Sequence, residues 1–223
     1  MNYLAHGYRF LDSPLMLAGT AVPDWLSVVD RKVRIRTRRV LEHREALTDD
    51  DRTMADGMLQ HLRDDDVFHR CELFQRLEGE LSLRFRHIMP DRFDHRPAFL
   101  GHIVTELLLD AFIVERQPEV LDQYYAALKT VAADNVQTLV NRLAARPTDR
   151  LAEFVQHFQA AAILYDYSDN HRLLGRLNQV LRRVTLPPLD DAGLQVLQDS
   201  RTLVNAHAEG LLQAVESPAG FES

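Results

Sequence analysis

The sequence predicts an all-α protein, and two observations support this fold class. Only 9 glycine and 9 proline residues occur among the 223, while long stretches are rich in Leu, Ala, Arg, Glu and Gln, which is typical of helical proteins. Beyond Pro118, apolar residues recur at steps of three and four. The apolar content of 46% is sufficient for one core. We therefore expect a single helical bundle over residues 1–217, followed by a disordered tail over 218–223.

The helices can be placed in order along the chain. Residues 1–30 are apolar enough to be buried and helical. Thr48 and the three aspartates after it are a plausible helix start, and this helix should run past Phe74. Pro97 fits the first turn of the next helix, which should reach about Arg116. Further helices are expected at about 148–166, 171–184 and 190–216.

Charge and composition exclude several functional classes. The net charge of -7 argues against a nucleic-acid partner, because proteins that neutralise nucleic-acid phosphates usually have a basic excess. Cys71 is the single cysteine, which excludes an intramolecular disulfide and favours a cytoplasmic location. The apolar run 103–114 contains Glu106 and Asp110 and is shorter than the ~20 residues of a membrane span. We therefore expect no membrane association, and the oligomeric state stays open.

A basic run is the exception to this acidic character. It is interpreted either as the solvated face of a helix or as a docking patch for an acidic partner. Its members are Arg31, Lys32, Arg34, Arg36, Arg38 and Arg39.

The first candidate site is a stripe on the helix that follows Thr48. His61, Asp65 and His69 lie four residues apart, and each step of four rotates a side chain by only about 40° around the helix. Two imidazoles and a carboxylate could thus converge on one side. An exposed face with ion pairs between residues four apart is an equally good interpretation.

A second stripe occurs in the helix that follows Pro97. His102, Glu106 and Asp110 repeat the four-residue step within an apolar segment. Burying three ionisable groups costs several kcal/mol unless each finds a partner, and one divalent cation can satisfy several of them. The stripes therefore predict a metal site of imidazole and carboxylate ligands, suited to manganese, iron, zinc or magnesium.

The beginning of the chain resembles a known family. Met1-Asn2-Tyr3-Leu4-Ala5-His6, then Gly19 and Asp24-Trp25, are similar to the N-terminus of bacterial acyl carrier protein phosphodiesterases, helical relatives of the HD-type metal phosphohydrolases. Gly57-Met58, His61, Asp65 and the position of His69 resemble a second motif of that family, and His102 resembles the histidine of its next helix. The resemblance covers roughly the first half of the chain.

The resemblance implies a function and a set of ligands. It implies hydrolysis of a phosphodiester with a divalent metal such as manganese, on a phosphate-ester substrate that could be acyl carrier protein. The implied ligands are His6, Asp24, His61, Asp65, His69 and His102, and Asp110 is added from its stripe alone.

Three residues are assigned to catalysis and one alternative function is kept. Asp65 is expected to be the central ligand, Glu106 could orient the attacking water, and Arg63 could offset charge on the phosphate. Asp64 could replace Glu106, and Arg70 could replace Arg63. The alternative function is a non-catalytic helical metal-binding or interaction protein with the same fold. The sequence contains no nucleophile elbow and no glycine-rich phosphate loop.

Overall fold

A computed structural model describes residues 1–89 and 96–216, so the predicted tail at 218–223 lies outside the described residues. Within the described ranges the chain is helical and contains no strand, which confirms the predicted fold class. The helices are α1 Tyr3–Gly7, α2 Pro14–Val29, α3 Thr37–Arg44, α4 Asp49–Arg70, α5 Glu72–Ile88, α6 Arg96–Arg116, α7 Val120–Lys129, α8 Ala133–Leu143, α9 Leu151–Ala161, α10 Asn170–Arg183, α11 Asp191–Asn205 and α12 Ala208–Glu216, with 3-10 helices at Tyr8–Phe10 and Ile163–Ser168.

The chain forms two compact units, which are described separately. Of the described residues, unit I contains 2–65 and 118–163, and unit II contains Met1 together with 66–89, 96–117 and 164–216. Helix α4 contributes residues 49–65 to unit I and 66–70 to unit II. The expectation of one domain over residues 1–217 stays a prediction.

In unit I, α2 packs against α1, α7 and α9. The ring of Phe158 on α9 contacts Tyr3 of α1 and Trp25 of α2, with centroid distances of 4.7 and 5.6 Å. These aromatic contacts are buried and join the start of the chain to its middle.

Two glycines allow α2 and α4 to approach closely in unit I. A Cβ added at Gly19 would overlap the carbonyl oxygen of Met54. One added at Gly57 would overlap the carbonyl oxygen of Met16 and lie 2.9 Å from the Cα of Gly19. Any larger residue at either position would force the backbones apart, so both glycines fix the crossing that places α4 beside α2.

In unit II, α5 packs along α6, and α11 packs against both helices. Helices α5 and α6 approach closely at Gly101, because a Cβ there would overlap the carbonyl oxygen of Glu78 and the side chain of Ser82. This contact brings the backbone of α6 against α5 beside His102.

Several predicted boundaries are wrong. The helix expected to continue past Phe74 ends at Arg70, and Cys71 adopts an extended conformation with φ -65° and ψ 126° before α5 begins. The helix expected over 190–216 is interrupted between Asn205 and Ala208. Part of the basic run is also not helical, because α3 begins only at Thr37. The prediction for α6 is confirmed, with Pro97 in its first turn.

Helix α6 is long and apolar enough to cross a membrane by length and composition alone, contrary to the expectation from the sequence. However, 61% of its apolar window is buried inside the protein, as in the core helix of a soluble protein. This burial indicates that α6 is a core helix, and it says nothing further about location.

Candidate metal centres

The structure places the candidate ligands in two groups. His6, His61 and Asp65 form one group in unit I, which we call the first cluster. His69, His102 and Glu106 form another in unit II, which we call the second cluster. Within each cluster, one potential ligand atom of every residue lies within 4.8 Å of the others.

The first cluster is formed by α1 and α4. His61 and Asp65 are one turn apart on α4, and the ring of His6 on α1 stacks on the ring of His61 with centroids 3.8 Å apart. Nε2 of His6 lies 3.2 Å from Oδ1 of Asp65, and Nε2 of His61 lies 3.4 Å from Oδ2. Both imidazoles therefore face the same carboxylate.

The tautomer of His61 is fixed by the backbone. Its Nδ1 lies 2.7 Å from the carbonyl oxygen of Thr20 on α2, and a carbonyl oxygen only accepts hydrogen bonds, so Nδ1 must be the donor. In a neutral ring, Nε2 then presents a lone pair to Asp65. Two acceptors 3.4 Å apart repel each other unless a proton or a metal cation lies between them.

His6 also requires a proton or a metal cation to satisfy its ring nitrogens. The residue is fully buried, and neither of its ring nitrogens has a hydrogen-bond partner of acceptable geometry. Buried polar atoms are nearly always satisfied, so an imidazole in this state fits a ligand of a cation.

Asp65 is ionised in this environment. Burial alone would raise the pKa of its carboxyl, but the imidazoles of His6 and His61 outweigh that effect and hold the pKa well below its usual range. The charged carboxylate that a divalent cation requires is therefore the stable form.

The structure distinguishes Asp65 from its two neighbours. Asp64 is fully buried and accepts hydrogen bonds from Arg9 and Gln60 at 2.7 and 2.6 Å. Asp66 pairs with Arg70 at 2.6 Å on the surface. Of the three, only Asp65 is a member of a cluster.

The first cluster opens into a pocket of about 180 Å³. Asp24 lines this pocket together with His61 and Asp65, which places one more predicted ligand beside the cluster. Arg34 lines it as well. Its apolar lining residues are Pro23, Leu26, Val33, Ile35 and Leu62.

Arg34 lines this pocket, although the sequence alone placed it only in the basic run. The cation suggested for the phosphate was Arg63, whose side chain is 52% exposed and lies 3.5 Å from Asp64. Arg63 does not line the pocket and Arg34 does. Arg34 reaches the pocket from the loop before α3, so its spacing from the histidines along the sequence does not predict this position.

The second cluster converges on one oxygen atom. Oε1 of Glu106 lies 3.0 Å from Nε2 of His69 and 3.3 Å from Nε2 of His102. The α-ammonium of Met1 also lies 3.0 Å from this oxygen. Glu106 was predicted as a catalytic group, and the structure places it among the potential ligands instead.

A second carboxylate orients His102. Nδ1 of this ring lies 3.0 Å from Oε1 of Glu78 on α5. Hydrogen bonding to Glu106, and further to Glu78, raises the pKa of His102 against the opposing effect of burial. Although burial raises it, the pKa of Glu106 is held well below its usual range by the Met1 ammonium and the imidazoles of His102 and His69. No motif or spacing in the sequence indicated this role for Glu78.

Asp110 belongs to neither cluster. Its side chain is fully buried on α6, two turns beyond His102.

Comparison of the chain with protein families, with curated proteins and with solved structures found no match.

Proposed function

We propose that this protein is a metal-dependent hydrolase of phosphate esters, with its reaction centre at the first cluster. The observation on which the proposal rests is the orientation of His61. Its Nδ1 is held by the carbonyl oxygen of Thr20, so its Nε2 is available to a cation that also meets Asp65. A histidine that ligates a metal through one ring nitrogen usually donates a hydrogen bond of this kind from the other.

The residues present fit a divalent cation. His6, His61 and Asp65 would hold it, and Asp24 could contribute from the pocket wall. Two imidazoles with carboxylates suit manganese, iron or zinc better than magnesium, which prefers oxygen ligands. When bound, such an ion polarises a phosphate oxygen and lowers the pKa of a coordinated water toward neutrality.

The pocket supplies the remaining groups. The guanidinium of Arg34 can bind phosphate oxygens, for which its planar donor geometry is well suited. The apolar side chains around it can exclude water and hold an extended apolar part of the substrate. We assign no catalytic role to Arg63 or to Glu106 in this proposal.

The substrate class follows from the resemblance. The family that the chain resembles removes the phosphopantetheine arm from acyl carrier protein, a reaction that requires a phosphodiester at the cluster and an acidic partner outside it. The exposed arginines of the basic run could bind that partner. We propose a cytoplasmic location on the basis of the single cysteine.

Metal addition to the purified protein tests the proposal. Manganese, zinc or iron should raise the melting temperature by linkage and should start hydrolysis of bis(p-nitrophenyl) phosphate. The Asp65→Asn variant should lose the hydrolysis and show a smaller rise in melting temperature, while the surface variant Asp66→Asn should behave as the parent in both measurements. Metal binding without hydrolysis of any phosphodiester would favour the non-catalytic metal-binding alternative.

A further inference from the structure

We infer that His69, His102 and Glu106 form a second divalent-cation site, distinct from the proposed hydrolytic centre, that binds a transition metal such as zinc or ferrous iron. The ligand atoms are Nε2 of both histidines and Oε1 of the glutamate. They come from the last turn of α4 and from the first half of α6.

The distances fit a metal. Neighbouring ligands at about 2.0–2.2 Å from a tetrahedral or octahedral ion lie roughly 2.8–3.6 Å from one another. The two nitrogen-to-oxygen separations are 3.0 and 3.3 Å. A set of two imidazoles and one carboxylate is used by zinc and by non-haem ferrous iron, which sets the chemical class of the ion.

The charges in this cluster favour a cation. Glu106 and Glu78 supply two carboxylates around His102, and the Met1 ammonium supplies one positive charge. With neutral imidazoles the cluster has a net negative charge. Extra protons on the histidines or one metal ion can neutralise it, and the two possibilities differ in a measurable way.

The surroundings of His102 resemble those of a ligand. Glu78 accepts from Nδ1 at 3.0 Å, which in a neutral ring leaves the lone pair on Nε2 directed at Glu106. A carboxylate behind a ligating histidine fixes the ring and raises its basicity. The ring of Phe74 contacts both histidines edge-on with centroid distances of 5.2 Å, so both rings are held in position from a second side.

Cobalt(II) titration followed by absorption, and metal stoichiometry by elemental analysis after zinc loading, test the inference. The protein should carry any affinity tag at its C-terminus, because Met1 lies 3.0 Å from Glu106. The variants are His102→Ala, Glu106→Gln and Glu78→Gln. The matched control is His87→Ala, an exposed histidine whose Nδ1 lies 2.8 Å from the Leu83 carbonyl oxygen of its own helix.

The expected result is two equivalents of metal per chain, of which His102→Ala and Glu106→Gln each remove one. Glu78→Gln should still bind the second equivalent, but about 10-fold or more weakly, since a residue that hydrogen-bonds to a metal-ligating histidine usually contributes at least that factor to the affinity. The His87→Ala control should match the parent protein. If His102→Ala does not fold, Glu106→Gln and Glu78→Gln still show whether the second cluster binds a metal.

Repeating the titration in a His61→Ala background separates this inference from the proposed function. One equivalent should remain there and should disappear when His102→Ala is added. Metal binding that is unaffected by Glu106→Gln and Glu78→Gln would overturn the inference and leave the second cluster as a proton-bridged ion-pair network. A single equivalent lost equally with either cluster would also overturn it.

Discussion

His6 and His61 stack with their ring centroids 3.8 Å apart, and each directs Nε2 toward a different oxygen of Asp65. Stacked imidazoles that share one carboxylate are poorly stable as two adjacent imidazolium ions, because like charges in a buried site repel. A single cation between the rings and the carboxylate satisfies all three groups.

Asp65→Ala should therefore weaken metal binding at the first cluster. Removing a charged ligand should lower the metal affinity by about 10-fold or more, since substituting a residue that only hydrogen-bonds to a ligand already lowers it by that factor. Phosphodiester hydrolysis should fall with the metal affinity. Isothermal titration with manganese gives the affinity. An Asp66→Ala control should behave as the parent, and a silent Asp65→Ala would remove the basis of the hydrolase proposal.

The depressed pKa of Asp65 predicts that the effect of Asp65→Ala on the stability of the metal-free protein depends on pH. The pKa of Asp65 is depressed in the folded chain, so its ionised form contributes stability at pH values above the ordinary carboxyl pKa of about 4. That contribution declines as the pH falls toward the depressed value. Urea unfolding should show parent protein more stable than Asp65→Ala at pH 7, with a difference that narrows below pH 4. A difference that widens in acid would contradict the assigned direction.

Arg34→Ala should weaken substrate binding without removing the metal. A hydrogen bond to a charged group contributes about 1.5–3 kcal/mol, so kcat/KM for a small phosphodiester should fall about 10-fold or more, chiefly through KM. Metal affinity should stay unchanged. Arg38→Ala is the control, because Arg38 pairs with Glu42 on the exposed face of α3. Equal losses in both variants would argue against Arg34 as the phosphate ligand.

Docking of acyl carrier protein should depend on the part of the basic run outside the pocket. Arg36 and Arg38 are exposed and do not line the pocket. Changing both to Glu should weaken binding of acyl carrier protein while a small phosphodiester is still hydrolysed at the parent rate. Surface plasmon resonance and a p-nitrophenyl assay measure the two effects. Unchanged carrier binding would exclude the basic run as its docking site.

Gly57→Ala should destabilise the protein by about 1–3 kcal/mol, because the added methyl group overlaps the backbone of α2. Gly79 provides a matched control, since a Cβ there meets nothing within 4 Å. Gly79→Ala should stabilise α5 by roughly 0.5–1 kcal/mol. Chemical denaturation of both variants measures the difference, and a neutral Gly57→Ala would show that α2 and α4 do not cross as described.

The sequence by itself determined the helical class and much of the candidate ligand set, because composition, four-residue steps and the opening motif are local properties. It could not assign the ligands to sites. A drift of about 40° per step amounts to roughly 80° over two steps, so His69 joins His102 and Glu106 while His61 and Asp65 join His6. Asp110, two steps from His102, lies outside both clusters for the same reason.

Only the tertiary structure decided which nitrogen of each histidine is available. The carbonyl oxygen of Thr20 fixes His61, and the carboxylate of Glu78 orients His102. Both partners come from a different helix, brought into reach where glycine lets two backbones approach. Arg34 enters the pocket through a loop. Such contacts depend on how helices cross and where loops turn, and no spacing along the chain specifies them.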